Sequence, residues 1–227
     1  PKQAGDVVRN PELAKLLRAV AKKGPSAFYK GQNARAIAAV VSTAPKNAAP
    51  MTLKDIASYQ AKDRAAVCTT YRIYKLCGMG PPSSGATTVF QVLGMLERFD
   101  MKALGKDDPK SWHLIAEAML LAYADREKYL GDADFVSVPV AGLIDKGYIA
   151  SRSALISETT SLPSYAAGTP PGAEPRTAAI SSEVAGTTHF VAADRFGGVA
   201  TMTSTVEGPF GSQLVANGYV LNNEPVS

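Results

Sequence analysis

The stretch from Thr159 to Thr177 limits the fold more than any other part of the chain. It consists mostly of Ser, Thr, Pro, Gly and Ala, and Pro163, Pro170, Pro171 and Pro175 each fix φ and remove a backbone donor. No helix and no central strand can run through it. The expected result is an exposed, slack connection over about residues 159–180. Residues before it read as helix-rich with one hairpin, and residues after it have strand composition.

Upstream, Asn10 can cap a helix that opens on Pro11 and Glu12 and carries Leu13, Leu16, Leu17 and Val20 on one face until Gly24 ends it. A second helix is expected over residues 32–41, and Thr52 with Asp55 three residues on starts a short third. Residues 64–79 read as a hairpin. If Arg72 and Ile73 form its two-residue loop, Tyr71 and Tyr74 close it and Cys68 falls opposite Cys77. That is a non-hydrogen-bonded site, with Cα atoms about 4.5 Å apart and within disulfide reach. A disulfide and two free thiols both fit. Pro81-Pro82-Ser83-Ser84-Gly85 is a breaker cluster, and Ser84 is placed to cap a helix bearing Val89, Val92, Leu93 and Leu96. The longest helix is expected over residues 111–129.

Composition excludes several function classes. The chain has 24 Lys and Arg against 20 Asp and Glu, a net charge of +4, and no basic run of nucleic-acid-binding length, so no nucleic-acid partner is expected. No apolar stretch nears the ~20 residues that cross a bilayer, so no membrane span is expected in this segment. Two cysteines and two histidines, His113 and His189, cannot assemble a zinc-type ligand set, and neither metal nor other cofactor is expected. A 46% apolar composition over 227 residues supports a real core. The chain opens at Pro1 and stops at Ser227 just after a strand-like run, and it reads as a segment of something longer.

The chemistry lies beyond the Pro-rich stretch. Residues 188–193 and 199–206 read as strands around Asp194-Arg195-Phe196-Gly197-Gly198. With Arg195, Phe196 and Gly197 as a three-residue loop and Gly197 left-handed, Asp194 pairs with Gly198 and Thr205 falls opposite Thr187. Spacing alone favours an ordinary cross-strand threonine pair, worth ~0.2 to 1 kcal/mol. A sharper reading exists. A hydroxyl is a weak nucleophile without an adjacent base, and a chain-terminal Thr carries one in its own α-amine. Such a terminus arises internally if Thr187 attacks the Gly186 carbonyl and water resolves the ester. Gly186 has no Cβ to obstruct that bent geometry.

Here the sequence resembles a known family. Thr187-Thr188-His189-Phe190, Gly197, Thr203-Ser204-Thr205-Val206-Glu207, Phe210-Gly211 and Leu221-Asn222-Asn223-Glu224 are similar to the start of the small subunit of γ-glutamyltransferases. Asn10-Pro11-Glu12-Leu13-Ala14, Ala27-Phe28-Tyr29-Lys30-Gly31, Pro81-Pro82-Ser83-Ser84-Gly85, Tyr123-Ala124-Asp125-Arg126 and Tyr129-Leu130-Gly131-Asp132 resemble the second half of that family's large subunit. The resemblance runs in order through nearly the whole chain. It implies an α+β fold, a four-layer αββα sandwich of the N-terminal-nucleophile hydrolase type, incomplete in this segment. Residues 1–186 would be large-subunit portion and 187–227 the start of the small subunit, forming an αβ heterodimer with the rest of both subunits after cleavage between Gly186 and Thr187. The implied reaction is transfer of a γ-glutamyl group from a glutathione-like donor to water or an amine, in a periplasmic or secreted setting. Thr187 would be the nucleophile, Thr205 would hold its hydroxyl, and Glu207 and Glu224 would grip the donor's α-ammonium by charge-assisted hydrogen bonds.

The sequence departs from the family pattern at Ser227, where an Asp is usual, and at Gly198, where Asn or Ser is usual. The family's carboxylate-binding arginine lies before Pro1, and its serine pair and oxyanion-hole glycines lie after Ser227. Two rival readings stand beside the first: a same-fold acylase of the glutaryl or cephalosporin type, and a non-catalytic segment or unprocessed precursor. Ser83-Ser84-Gly85 reads as a turn and cap, His113 as a core or surface histidine, and His189 as a packing or hydrogen-bonding residue. Asp125 and Arg126 read as a structural ion pair or helix-surface charges.

Overall fold

The Asn10 side chain accepts the Leu13 amide at 3.0 Å and so starts α1 (Pro11–Lys23), which has Pro in its first turn and Lys22 and Lys23 in its last. The computed structural model describes residues 3–176 and 186–223. After α1 come α2 (Ser26–Tyr29), a single turn with no periodic signal of its own, α3 (Gly31–Ser42) and α4 (Leu53–Ser58). Helix α3 is the one expected at residues 32–41. Helix α4 opens on a reciprocal capping box, in which Asp55 N–H donates to Thr52 Oγ1 at 3.2 Å and Thr52 N–H donates to Asp55 Oδ2 at 2.8 Å.

Strands β1 (Val67–Tyr71) and β2 (Tyr74–Gly78) pair with Tyr71 against Tyr74 and Cys68 against Cys77. The two cysteines form a disulfide, with Cα atoms 4.1 Å apart. Helices α5 (Gly85–Leu96), α6 (Met101–Leu104), α7 (Pro109–Tyr129), α8 (Val140–Leu143) and α9 (Lys146–Ser153) follow. Helix α7 starts two residues earlier than its apolar pattern, because Asp108 caps it through the Lys110 amide at 2.8 Å and Pro109 fits the first helical position. Ser84 departs from expectation. It precedes α5 with helical dihedrals and makes no side-chain cap; its Oγ instead accepts Arg126 Nε at 3.0 Å. Strands β3 (Thr187–Ala193), β4 (Val199–Thr205), β5 (Val215–Ala216) and β6 (Tyr219–Val220) complete an α+β fold. Among the described residues the strands form three separate two-stranded ladders, so the segment carries hairpins rather than closed sheet layers.

The described residues fall into two compact units, 3–61 with 186–223, and 62–176. In the second, α5, α7 and α9 bury Met95, Leu96, Leu114, Ala118, Leu121, Ala122 and Ile149 in one core. Two acids on the inner side of α7 hold the Pro-rich stretch against it. Glu117 accepts the Tyr165 hydroxyl at 2.6 Å and the Leu162 amide at 3.2 Å. Asp125, fully buried, accepts the Gly168 amide at 2.8 Å, the Tyr148 hydroxyl at 2.7 Å and Gln91 Nε2 at 3.1 Å, and pairs with Arg152 at 3.2 Å. Arg152 also donates to the Ala166 carbonyl, and Tyr129 to that of Gly168. The stretch is irregular, as its prolines require, but through Arg176 it is anchored rather than slack. Buried polar groups need partners, and here the linker's backbone supplies them.

In the first unit, α3 turns Asn33, Ala34 and Ile37 inward and packs on β5, whose Ala216 is buried.

Candidate active site

The loop between β3 and β4 folds as its composition predicts. Gly197 has φ +86°, the Asp194 amide donates to the Gly198 carbonyl at 2.9 Å, and Asp194 Oδ1 accepts the amides of Phe196 and Gly198 at 2.8 Å each. Counting back from this turn sets the register, Ala193 against Val199 and so on to Thr187 against Thr205. Because side chains alternate along a strand, Thr187 and His189 share a face with Thr203 and Thr205. All residues of both strands are exposed.

Thr205 is the hub of the site. Its hydroxyl accepts the Thr187 hydroxyl at 3.1 Å and the Glu207 amide at 2.8 Å, and donates to the Gly186 carbonyl at 3.3 Å. One proton given and two lone pairs used exhaust what a hydroxyl can do, which fixes its rotor. One side chain therefore touches both the oxygen that could attack and the carbonyl that could be attacked.

Gly186 is required here for a reason its sequence context does not reveal. A Cβ at this position would lie 2.0 Å from the Glu207 carbonyl oxygen, so only glycine lets the two backbones pass. Glu207 is half-buried with φ +72°, a left-handed conformation that costs a non-glycine residue about 1 kcal/mol. That twist aims its amide at Thr205 and lays its carbonyl over Gly186. The Val206 carbonyl accepts the Asn223 amide at 3.3 Å, and Asn223 Oδ1 accepts the Gly208 amide at 2.8 Å, which locks the segment after β4.

Glu224 and Ser227 lie outside the described residues. His189 Nδ1 meets Thr203 Oγ1 at 2.8 Å, and His113 Nε2 meets the Ser157 carbonyl at 2.9 Å, both hydrogen-bonding roles. Asp125 pairs with Arg152, not with its neighbour Arg126, which lies over the Tyr123 ring. Among the described residues no group of three His, Cys, Asp or Glu could hold a metal, and no helix is long and apolar enough to cross a membrane. Sequence reasoning misses the main-chain role of Glu207 and the hairpin β5–β6. The second had a signal in Asn217-Gly218, a dipeptide that favours two-residue turns with both φ positive.

The Gamma-glutamyltranspeptidase family model matches residues 1–226. The chain is 37% identical over 227 residues to the glutathione hydrolase proenzyme of Escherichia coli (strain K12), covering 99% of this chain and 37% of that protein's length. The chain thus spans little more than a third of this relative. The solved γ-glutamyltranspeptidase of Helicobacter pylori superposes with a TM-score of 0.65 at 44% identity, over 71% of this chain and 45% of that one. The cephalosporin acylase of Bacillus halodurans superposes with a TM-score of 0.79 at 26% identity, over 97% of this chain and 37% of that one. A family match along almost the whole sequence, joined to this shared fold, makes the chain a member of the γ-glutamyltranspeptidase family of N-terminal-nucleophile hydrolases.

Proposed function

We propose that Thr187 first cuts the chain and then, as a new amino terminus, transfers γ-glutamyl groups. The observation that carries this reading is the hydrogen-bond chain from the Thr187 hydroxyl through Thr205 to the Gly186 carbonyl. In the cut, Thr187 Oγ bonds to the Gly186 carbonyl carbon while the Thr205 hydroxyl steadies the developing oxyanion. As that bond forms, the Oγ proton passes to the Thr187 nitrogen. The Gly186–Thr187 C–N bond breaks to leave that nitrogen, with its own hydrogen and the transferred one, as the new α-amine, and water hydrolyses the ester. In turnover that amine takes the hydroxyl proton, Oγ attacks the donor's γ-carbonyl, and the amine product leaves with a proton. Water or a second amine then resolves the γ-glutamyl-threonine ester. Glu207 and Glu224 are assigned to the donor's α-ammonium.

On this reading residues 1–186 belong to the large subunit and 187–227 begin the small one, and the mature enzyme is a heterodimer with the remainder of both. The Cys68–Cys77 disulfide favours an oxidising location, periplasmic or secreted. The likeness to the Bacillus halodurans acylase supports a second reading, hydrolysis of a glutaryl-type amide by the same nucleophile. Assay of the full-length enzyme on γ-glutamyl and glutaryl anilides separates the two. Preference for the γ-glutamyl anilide supports transferase chemistry with a grip on the ammonium, whereas equal or better turnover of the glutaryl anilide overturns it.

A further inference from the structure

The proposed cut falls inside one compact unit. Residues 3–61 lie upstream of it and 187–223 downstream, yet they pack together. Where the two parts meet, the contact is polar and specific. Asn33 is buried on α3, its Nδ2 donating to the Phe28 carbonyl at 2.9 Å, and its Oδ1 accepts both Asn217 Nδ2 at 2.7 Å and the Tyr219 hydroxyl at 3.1 Å. Asn10, while capping α1, donates from Nδ2 to the Gly218 carbonyl at 2.5 Å. Asn217 and Gly218, with φ +47° and +82°, form the turn joining β5 to β6, and a Cβ on Gly218 would lie 2.2 Å from Asn10 Oδ1. The Phe28 and Tyr219 rings pack beside this cluster at 6.0 Å.

That turn is the tip of a ladder reaching back to the site. Ala216 pairs with Tyr219, Val215 with Val220, the Leu221 amide donates to the Leu214 carbonyl, and the Asn223 amide donates to the Val206 carbonyl beside Glu207. The tip is thus held by upstream side chains, and its base bonds Val206 and Gly208, on either side of the residue whose backbone meets Thr205 and Gly186.

We propose that Asn33, with Asn10, is a clamp across the cut: it keeps the downstream fragment seated on α1–α3 once the chain is severed, and through the β5–β6 ladder it keeps the segment starting at Glu207 in place. Asn33 touches no reacting atom and is a positioning residue. The clamp rests on the proposed cleavage at Thr187 for its first half only.

The test uses the full-length protein and two single variants. Asn33→Ala removes the acceptor. Asn217→Gly removes the donor while keeping a turn that needs positive φ, and it stands in if Asn33→Ala fails to fold. After processing, each single variant should release its downstream fragment roughly tenfold more readily, as expected for one or two lost hydrogen bonds. The double variant should be no worse than Asn33→Ala within about twofold, because the bond that Asn217→Gly removes is one that Asn33→Ala has already removed. KM for γ-glutamyl-p-nitroanilide should rise more than kcat falls. Wild-type fragment retention and KM in Asn217→Gly, or additive effects in the double variant, overturn the clamp. Hydrogen exchange in the uncut Thr187→Ala chain separates this from failure of the cleavage reading. There the Leu221 and Asn223 amides should exchange roughly tenfold faster when Asn217→Gly is added, and unchanged rates contradict the clamp whether or not the wild type is cut.

Discussion

On the reading proposed for Thr187, cutting and turnover depend on one hydroxyl and should fail together. Thr187→Ala is expected to leave the chain uncut and inactive, and Thr187→Ser to process and turn over more slowly, since its rotamer is less restrained. Thr205→Ala removes the partner of both the Thr187 hydroxyl and the Gly186 carbonyl. Cutting and turnover should each slow by roughly a hundredfold with the fold intact, as measured by single-turnover processing and steady-state kinetics. Gly186→Ala should block processing through its clash with the Glu207 carbonyl, and a normal processing rate would refute that close approach. In the mature enzyme the pH profile of kcat/KM should rise through ~7.7 to 8.0, where a free α-amine loses its proton.

At the scale of elements, the anchored linker depends on α7. Burial pushes the Glu117 carboxyl up, but hydrogen bonds from Tyr165, Leu162 and Ser161, with the His113 charge nearby, outweigh it and hold the group below its usual range. A lowered folded-state value means that its stabilisation is present above the unfolded carboxylate pKa of about 4.3 and is lost as pH falls through the lowered value. Glu117→Gln should therefore narrow the gap between urea midpoints at neutral and acid pH. Asp55 and Asp134, held low by Thr52 and Arg64, leave a residual slope. An unchanged gap would remove Glu117 from that role. Asp125→Ala strands the buried Arg152 and frees the Gly168 amide, at a cost of roughly 3 to 5 kcal/mol in denaturant unfolding. Cys68→Ser with Cys77→Ser should cost about 2.5 kcal/mol for so short a closed loop.

Across the molecule, what the sequence made legible is local in character. Both long hairpins follow from counting outward from their turns, and α1, α4 and α7 from their caps or apolar periods, because turn and cap chemistry acts within a few residues. The linker shows the converse. Its prolines announce irregular backbone, but the acids that pin it sit more than 40 residues upstream on α7 and carry no local signal. The same holds for Asn33, which meets Asn217 across 184 positions, and for Glu207, whose contribution is made by its main chain. The Thr187–Thr205 pairing was legible because one turn sets the register of a single hairpin, whereas the catalytic role proposed for Thr187 came from the family resemblance and not from spacing. The most direct test of the central claim is amino-terminal sequencing, with intact mass, of the mature small subunit from the full-length protein. A new terminus at Thr187, absent in Thr187→Ala, is the expected result; a terminus at any other residue, or a single uncut chain with full activity, would contradict it.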